Sequence, residues 1–428
     1  MRRILLIIML IALPANFAGG QEVTALSIEE CLTLALTNHP SLRKSQAATK
    51  NLQAQLEALK ANDRITVNLR GSASNSGNFQ YWDDNMSSGT LSLTASKTIY
   101  DTGKNRLNKE IRNQSILGSR ENERNTQITV AAAAKKAYYD LVLKILNRDT
   151  EREKLASLED HLRSAQGFYD VGQKSLIDVT KAKSDVASAR VSLLRAENDI
   201  LVAQETLRVA MGTDIEGAFN LALSSKLLLP QSAENMNDLV ATALQDRPDY
   251  RKLLHDVRGG ELAIKSAARS NSATITASAG GTYGKREGNN PSREYTVDLS
   301  LNVPVADGGA TKAAIESARA QLDSLLADVE STKNTITQSV RSAALNLKAA
   351  INTVKSSEEA MKYSEENLTL ARGRYEVGVG DALEVSDAVS SLAAARATYY
   401  GALYNAQAAR TDLDSALGHL PPEIEGKF

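Results

Sequence analysis

Glu384 and Asp387 stand three residues apart, a spacing that sets two carboxylates on one helix face. Crowded into a narrow opening, such groups repel one another and attract cations. The corresponding stretch earlier in the chain has one acid, Asp178, followed three residues later by Lys181. A plain Asp178–Lys181 ion pair, or the solvated face of a polar helix, accounts for these residues equally well. Other chemistry is sparse. His39, His161, His255 and His419 are scattered, without a second ligand at helical spacing. No nucleophile–base pair, phosphate loop or metal cluster is recognisable, and Gly259-Gly260 and Gly308-Gly309 read as turn or close-packing glycines. Catalytic residues, metal ligands and cofactors are therefore not assigned, and an enzyme is not expected.

The acids follow a turn that the chain writes twice. Residues 168–179 read FYDVGQKSLIDV and residues 374–385 read RYEVGVGDALEV, so that Tyr169, Val171 and Gly172 fall on Tyr375, Val377 and Gly378. From Tyr169 to Gly212 against Tyr375 to Gly418, 14 of 44 positions are identical without a gap. Asn38-His39-Pro40 likewise corresponds to Asp246-Arg247-Pro248, and Asp101-Thr102-Gly103 to Asp307-Gly308-Gly309. Such duplication predicts one domain over 21–428 built from repeats at about 28–213 and 235–418, joined by a connector at 213–235. Gly172, Gly378 and Gly380 suit turn positions with positive φ.

Each repeat must contain a very long helix. Residues 103–168 and 309–374 contain no proline, and ~65 residues at the helical rise reach on the order of 95 Å. After each turn a heptad pattern sets in. Ala182, Ala189, Ala196, Ala203 and Ala210 interleave with Val186, Leu193, Ile200 and Leu207; the second copy runs Ala388, Ala395, Ala402, Ala409 and Ala416. That pattern makes a left-handed coiled coil. Only 4% of residues are aromatic, which suits close-packed helices better than a compact enzyme core. The net charge of −1 offers no basic footprint for nucleic acid.

Four stretches alternate instead: 64–75, 90–100, 274–284 and 295–305. Ile65, Val67 and Leu69 alternate with Thr66, Asn68 and Arg70, and Val297, Leu299 and Leu301 with Thr296, Asp298 and Ser300. Runs of about 10 residues match membrane-crossing β-strands. Tyr81, Trp82, Tyr100, Tyr283 and Tyr295 sit near strand ends, where interfacial aromatics belong. The polar stretches 76–89 and 284–294 read as loops. No amphipathic segment is left over to cover such a sheet. Four strands cannot close a barrel, and lipid does not tolerate open edges. A hollow barrel needs about 12 strands, which three chains would supply.

At the N-terminus, Arg2 and Arg3 precede an apolar run at 4–14 and the small residues Ala18-Gly19-Gly20. This predicts a secretory signal peptide over 1–20, cleaved before Gln21. Cys31, the one cysteine, lies within a helical pattern and reads as a small buried apolar residue.

The stretch SIEECLTLALTNHP at 27–40, the D-x-G after each strand pair, both Y-x-V-G turns and their duplicated order together resemble the TolC-type outer membrane efflux proteins over nearly the whole chain after the signal. The resemblance implies a mainly α fold with a transmembrane β part. Duplicated long-helix hairpins would form a trimeric α-barrel tunnel, and four β-strands per chain would enter a 12-stranded outer-membrane β-barrel. It implies that Tyr169, Val171, Gly172, Tyr375, Val377, Gly378 and Gly380 lie at the periplasmic tip, where a membrane-fusion adaptor protein docks. It also implies that Asp178, Glu384 and Asp387 ring the closed aperture. The expected partners are two further copies of the chain, the adaptor, an inner-membrane pump of RND, ABC or MFS type, and outer membrane lipids. The function so implied is a passive exit duct for efflux or type I secretion, with drug, metal and protein cargo all open. A soluble periplasmic coiled-coil scaffold without a barrel is the alternative.

Overall fold

The computed structural model describes residues 25–78, 81–213, 220–221, 227, 229–230, 235–286, 288 and 290–424. The expected leader lies outside the described residues, as does most of the connector. The chain forms β1 (Ala25–Leu26), α1 (Ile28–Asn38), α2 (Pro40–Ala61), β2 (Thr66–Asn78), β3 (Tyr81–Tyr100), α3 (Lys104–Asp170) and α4 (Leu176–Met211). It then repeats the order with β4 (Asn220–Leu221), α5 (Met236–Asp246), α6 (Pro248–Ala267), β5 (Thr274–Arg286), β6 (Ser292–Asn302), α7 (Ala310–Glu376) and α8 (Ala382–Leu417). The third and fourth helices of each copy match in length, 67 and 36 residues. At the helical rise, α3 and α7 are each about 100 Å long.

Local chemistry sets these boundaries. Ser27 and Glu30 form a capping box that opens α1. Pro40 and Pro248 occupy the first turns of α2 and α6, where a missing N–H costs nothing. The Asp101 carboxylate accepts from the N–H groups of Gly103 (2.9 Å) and Asn105 (2.6 Å), and Asp307 accepts from Gly309 (3.0 Å) and Thr311 (2.8 Å). Each D-x-G turn therefore satisfies the first donors of a long helix.

The sheet order is β2-β3-β5-β6, antiparallel throughout. Its register places Val67, Ala95, Ala279 and Val297 in one row and Leu69, Leu93, Gly281 and Tyr295 in the next. The opposite face carries Thr66, Ser96, Ser278 and Asp298, with Thr66 and Ser96 hydroxyls 2.9 Å apart. The strands run longer than expected near 80: β3 begins at Tyr81, so most of the stretch read as a loop over 76–89 is strand. β6 covers Ser292–Asn302 and ends before Val303.

Buried side chains lie in the helices and the segments that pad them. The α4 heptad buries Ala182, Val186, Ala189, Ala203 and Leu207, with Val179 and Met211 at its ends. α8 buries a second line as well, including Val389, Ala393, Leu403 and Gln407, because it packs on α3 as well as on α7. Cys31 is a free, fully buried thiol whose pKa burial pushes up to about 12. Among the described residues no helix is long and apolar enough to cross a membrane.

Candidate functional site

The Y-x-V-G turns lie at the end of the hairpins α3/α4 and α7/α8, a full long-helix length from the sheet. In the first turn Val171 N–H donates to Gly167 O (3.3 Å), Gly172 N–H to Tyr169 O (2.9 Å) and Gln173 N–H to Phe168 O (2.8 Å). In the second, Val377 donates to Gly373 O (3.3 Å), Gly378 to Tyr375 O (3.1 Å) and Gly380 to Arg374 O (2.9 Å). Gly172 and Gly378 hold φ of 75° and 80°, which explains why both copies use glycine there. Gly380 is different from the expectation: its φ is not positive. A Cβ there would meet Tyr375 N at 3.0 Å, and its carbonyl is needed elsewhere.

That carbonyl accepts from Lys174 Nζ at 3.1 Å, and Lys174 is the repeat equivalent of Gly380. The ammonium also stands 5.4 Å from the centre of the Tyr375 ring. Phe168 and His161 of α3 pack edge-on against that ring, at 5.6 and 4.8 Å between centres. Ser386 of α8 donates to Asp185 of α4 at 2.6 Å. Tyr375 is thus a buried pin between the two hairpins of one chain, while its equivalent Tyr169 is exposed. Burial raises the pKa of the Tyr375 phenol, with the Asp178 charge adding to the effect. Val171, Val377 and Val379 are exposed.

The three acids separate in role. Asp178 is half-buried and accepts from Ser175 N–H (3.1 Å) and Oγ (3.3 Å), the reciprocal arm of a capping box at the start of α4. The possible Asp178–Lys181 pair is not made; Lys181 binds Asp185 at 2.5 Å. Glu384 and Asp387 are exposed on one face of α8, opposite Val385, Ala388 and Val389. Arg374 Nε is 3.2 Å from Glu384, and among the described residues Asp387 has no ion pair. Asp381 caps α8 by accepting from Glu384 N–H at 2.7 Å. Sequence reasoning missed His161 and Lys174. His161 and Phe168 are seven residues apart with Ala165 between them, a seam spacing that was legible in the chain.

At the other end, Ile65, Val67, Leu69, Val297, Leu299 and Leu301 are 63–80% exposed, with no element over them. Tyr283 and Tyr295 stand on this apolar face toward the far end of the sheet, and Tyr100 ends β3 beside the helices. The strand places Tyr81 and Trp82 at the start of β3; their side chains lie outside what is described. Among the described residues no group of His, Cys, Asp and Glu could hold a metal ion.

Residues 31–213 and 239–419 match the outer membrane efflux protein family. The chain belongs to that family. Its members are efflux channels, not enzymes. The outer membrane efflux protein BepC of Brucella suis is 26% identical over 322 residues, 73% of this chain and 68% of that one. The probable efflux pump outer membrane protein TtgC of Pseudomonas putida is 26% identical over 318 residues, 69% of this chain and 63% of its own length. The crystal structure of CusC, a transmembrane channel, superposes with a TM-score of 0.78 at 19% identity, covering 92% of both chains. This efflux protein shares the fold of that channel: mainly helical, with a four-stranded antiparallel β part.

Proposed function

We propose that this efflux protein is the outer-membrane exit duct of a tripartite system, acting as a homotrimer in which three sheets close one 12-stranded barrel. Exported substrates would pass through it passively, delivered by an inner-membrane pump through a periplasmic adaptor.

One observation carries the reading: the chain leaves matching surfaces unpaired at both levels. In the sheet, β2 and β6 are the two edges, and an antiparallel order lets β6 of one copy pair with β2 of the next. In the helices, α8 packs against α3 within the chain. The repeat-equivalent pair is α4 against α7, and those two share no face in the chain. α4 instead exposes Leu194, Leu201, Val202 and Val209, and α7 exposes Leu326, Leu345, Tyr363 and Leu370, at 49–74%. Seating α4 of one copy on α7 of the next repeats the α3–α8 packing around a ring. Six hairpins from three chains then close the same ring that twelve strands close above it. The apolar sheet face would meet lipid, and the hydroxyl face would line a wet lumen.

Signal-directed export places the chain in the outer membrane with its helices in the periplasm. The turns at Tyr169–Gly172 and Tyr375–Gly380 would form the six tips that meet the adaptor. Glu384 and Asp387, exposed and repeated threefold, would form the acidic aperture, with Asp178 holding the cap of α4 beside it. Extraction of the protein from outer membranes only with detergent, as a heat-sensitive oligomer that conducts in planar bilayers, is the expected result. Release by osmotic shock as a non-conducting monomer would reject the duct in favour of a periplasmic scaffold.

A further inference from the structure

His161 is the one histidine at the tip, and it is buried where the two hairpins of a chain meet. The residue is 6% exposed, and its Nε2 has no hydrogen-bond partner. It packs edge-on against Tyr375, itself 2% exposed with an unpartnered hydroxyl. The groups facing it come from every neighbouring element. Asp178 and Asp185 face it from α4, Arg372 and Tyr375 from α7, and the Ala382 backbone from α8. Lys174, in the turn after α3, holds the far side of the same arrangement through Tyr375 and Gly380. Asp185 is already engaged by Lys181 and Ser386.

We propose that His161 is an acid-sensitive latch of the tip: neutral, it packs on Tyr375 and holds the two hairpins together; protonated, it loosens them and opens the duct. The latch rests on the duct reading above. A charged imidazolium at this site would be a buried cation beside a ring that already faces the Lys174 ammonium. An unpartnered nitrogen buried away from water cannot carry an added proton without cost. Solvation requires the His161–Tyr375 contact to part, and that contact ties the two hairpin tips of a chain together beside Lys174–Gly380 and Ser386–Asp185.

The sign follows from the titration. Burial, aided by Arg372 and opposed first by a hydrogen bond to the Ala382 backbone and then by the Asp185 and Asp178 charges, holds the ring's pKa below its ordinary value of 6.5. The closed tip therefore binds a proton less well than a solvated one. Its advantage is complete above about pH 6.5 and is lost as pH falls below it.

The test is single-channel recording of the purified full-length protein in planar bilayers at pH 7.5 and 5.5. Open probability in the native protein is expected to rise on acidification from pH 7.5 to 5.5. His161→Phe and His161→Gln should each lose that rise; the phenylalanine keeps a flat ring against Tyr375, and the glutamine keeps a polar side chain that does not titrate. Lys174→Ala, which removes another tie between the hairpins, should conduct more at both pH values. If neither the native protein nor Lys174→Ala conducts at any pH, the duct reading fails. If they conduct, but the native protein shows no acid response, or both His161 variants retain it, the latch is wrong and the duct stands.

Discussion

Gly212 and Gly418 end α4 and α8 at φ of 64° and 82°, pressed against the start of the next helix layer. A Cβ on Gly212 would lie 2.6 Å from His39 Cα, and one on Gly418 would lie 2.8 Å from Arg247 Cα. These contacts stack α2 end-on to α4 and α6 end-on to α8, so two shorter helices run the length of one long one. Gly212→Ala should therefore destabilise the folded chain by about 2 kcal/mol or more, through positive φ and overlap together. Thermal unfolding followed by circular dichroism would show it, and an unchanged midpoint would contradict the stacking. At the tip, the division among the acids gives opposite predictions. Asp178→Ala should cost about 1 kcal/mol of α4 capping while leaving cation block of the channel unchanged. Glu384→Ala with Asp387→Ala should relieve cation block and change single-channel conductance with little loss of stability. If the double variant conducts and is blocked as the native protein is, the acids do not line the aperture.

The strand faces show how far the chain could be read at the scale of elements. Alternation of Ile65, Val67 and Leu69 with Thr66, Asn68 and Arg70 located β2 because the period of two is strict there. Residues 81–89, YWDDNMSSG, break that period, yet β3 extends through them by pairing Ser88 with Ser74 and Met86 with Ser76. Backbone pairing with a neighbour already in place overrides a weak local pattern. The α8 heptad was legible, but its second buried line was not, because Val389 and Leu403 match Lys183 and Glu197 in the first copy. That contrast is itself the signal that only α8 lies between two helices. His161 stayed unread for a related reason: a single seam histidine acquires meaning only when Tyr375, more than two hundred residues away, is brought against it. The sheet permits a face-specific test. Val297→Lys on the apolar face should cost about 2–4 kcal/mol and reduce recovery from the membrane. Thr296→Lys, one residue away on the hydroxyl face, should insert normally and alter conductance. Equal behaviour of the two would contradict the assignment of faces.

For the whole molecule, the proposed ring closes only if the exposed apolar face of α4 finds α7 of another copy. Leu201→Glu puts a charge into the middle of that face and should break the oligomer into single chains. A substitution that left the oligomer intact would place the contact elsewhere. In the proposed trimer the two levels of closure are coupled, since β6 and β2 edges left open cannot remain in lipid, so the broken oligomer should also be lost from the membrane. The most direct measurement is the protein mass of the detergent-extracted particle by light scattering. Three chains per particle, with conductance in planar bilayers from the same fraction, is the predicted result. A particle of one or two chains that still inserts and conducts would contradict closure of twelve strands from three copies.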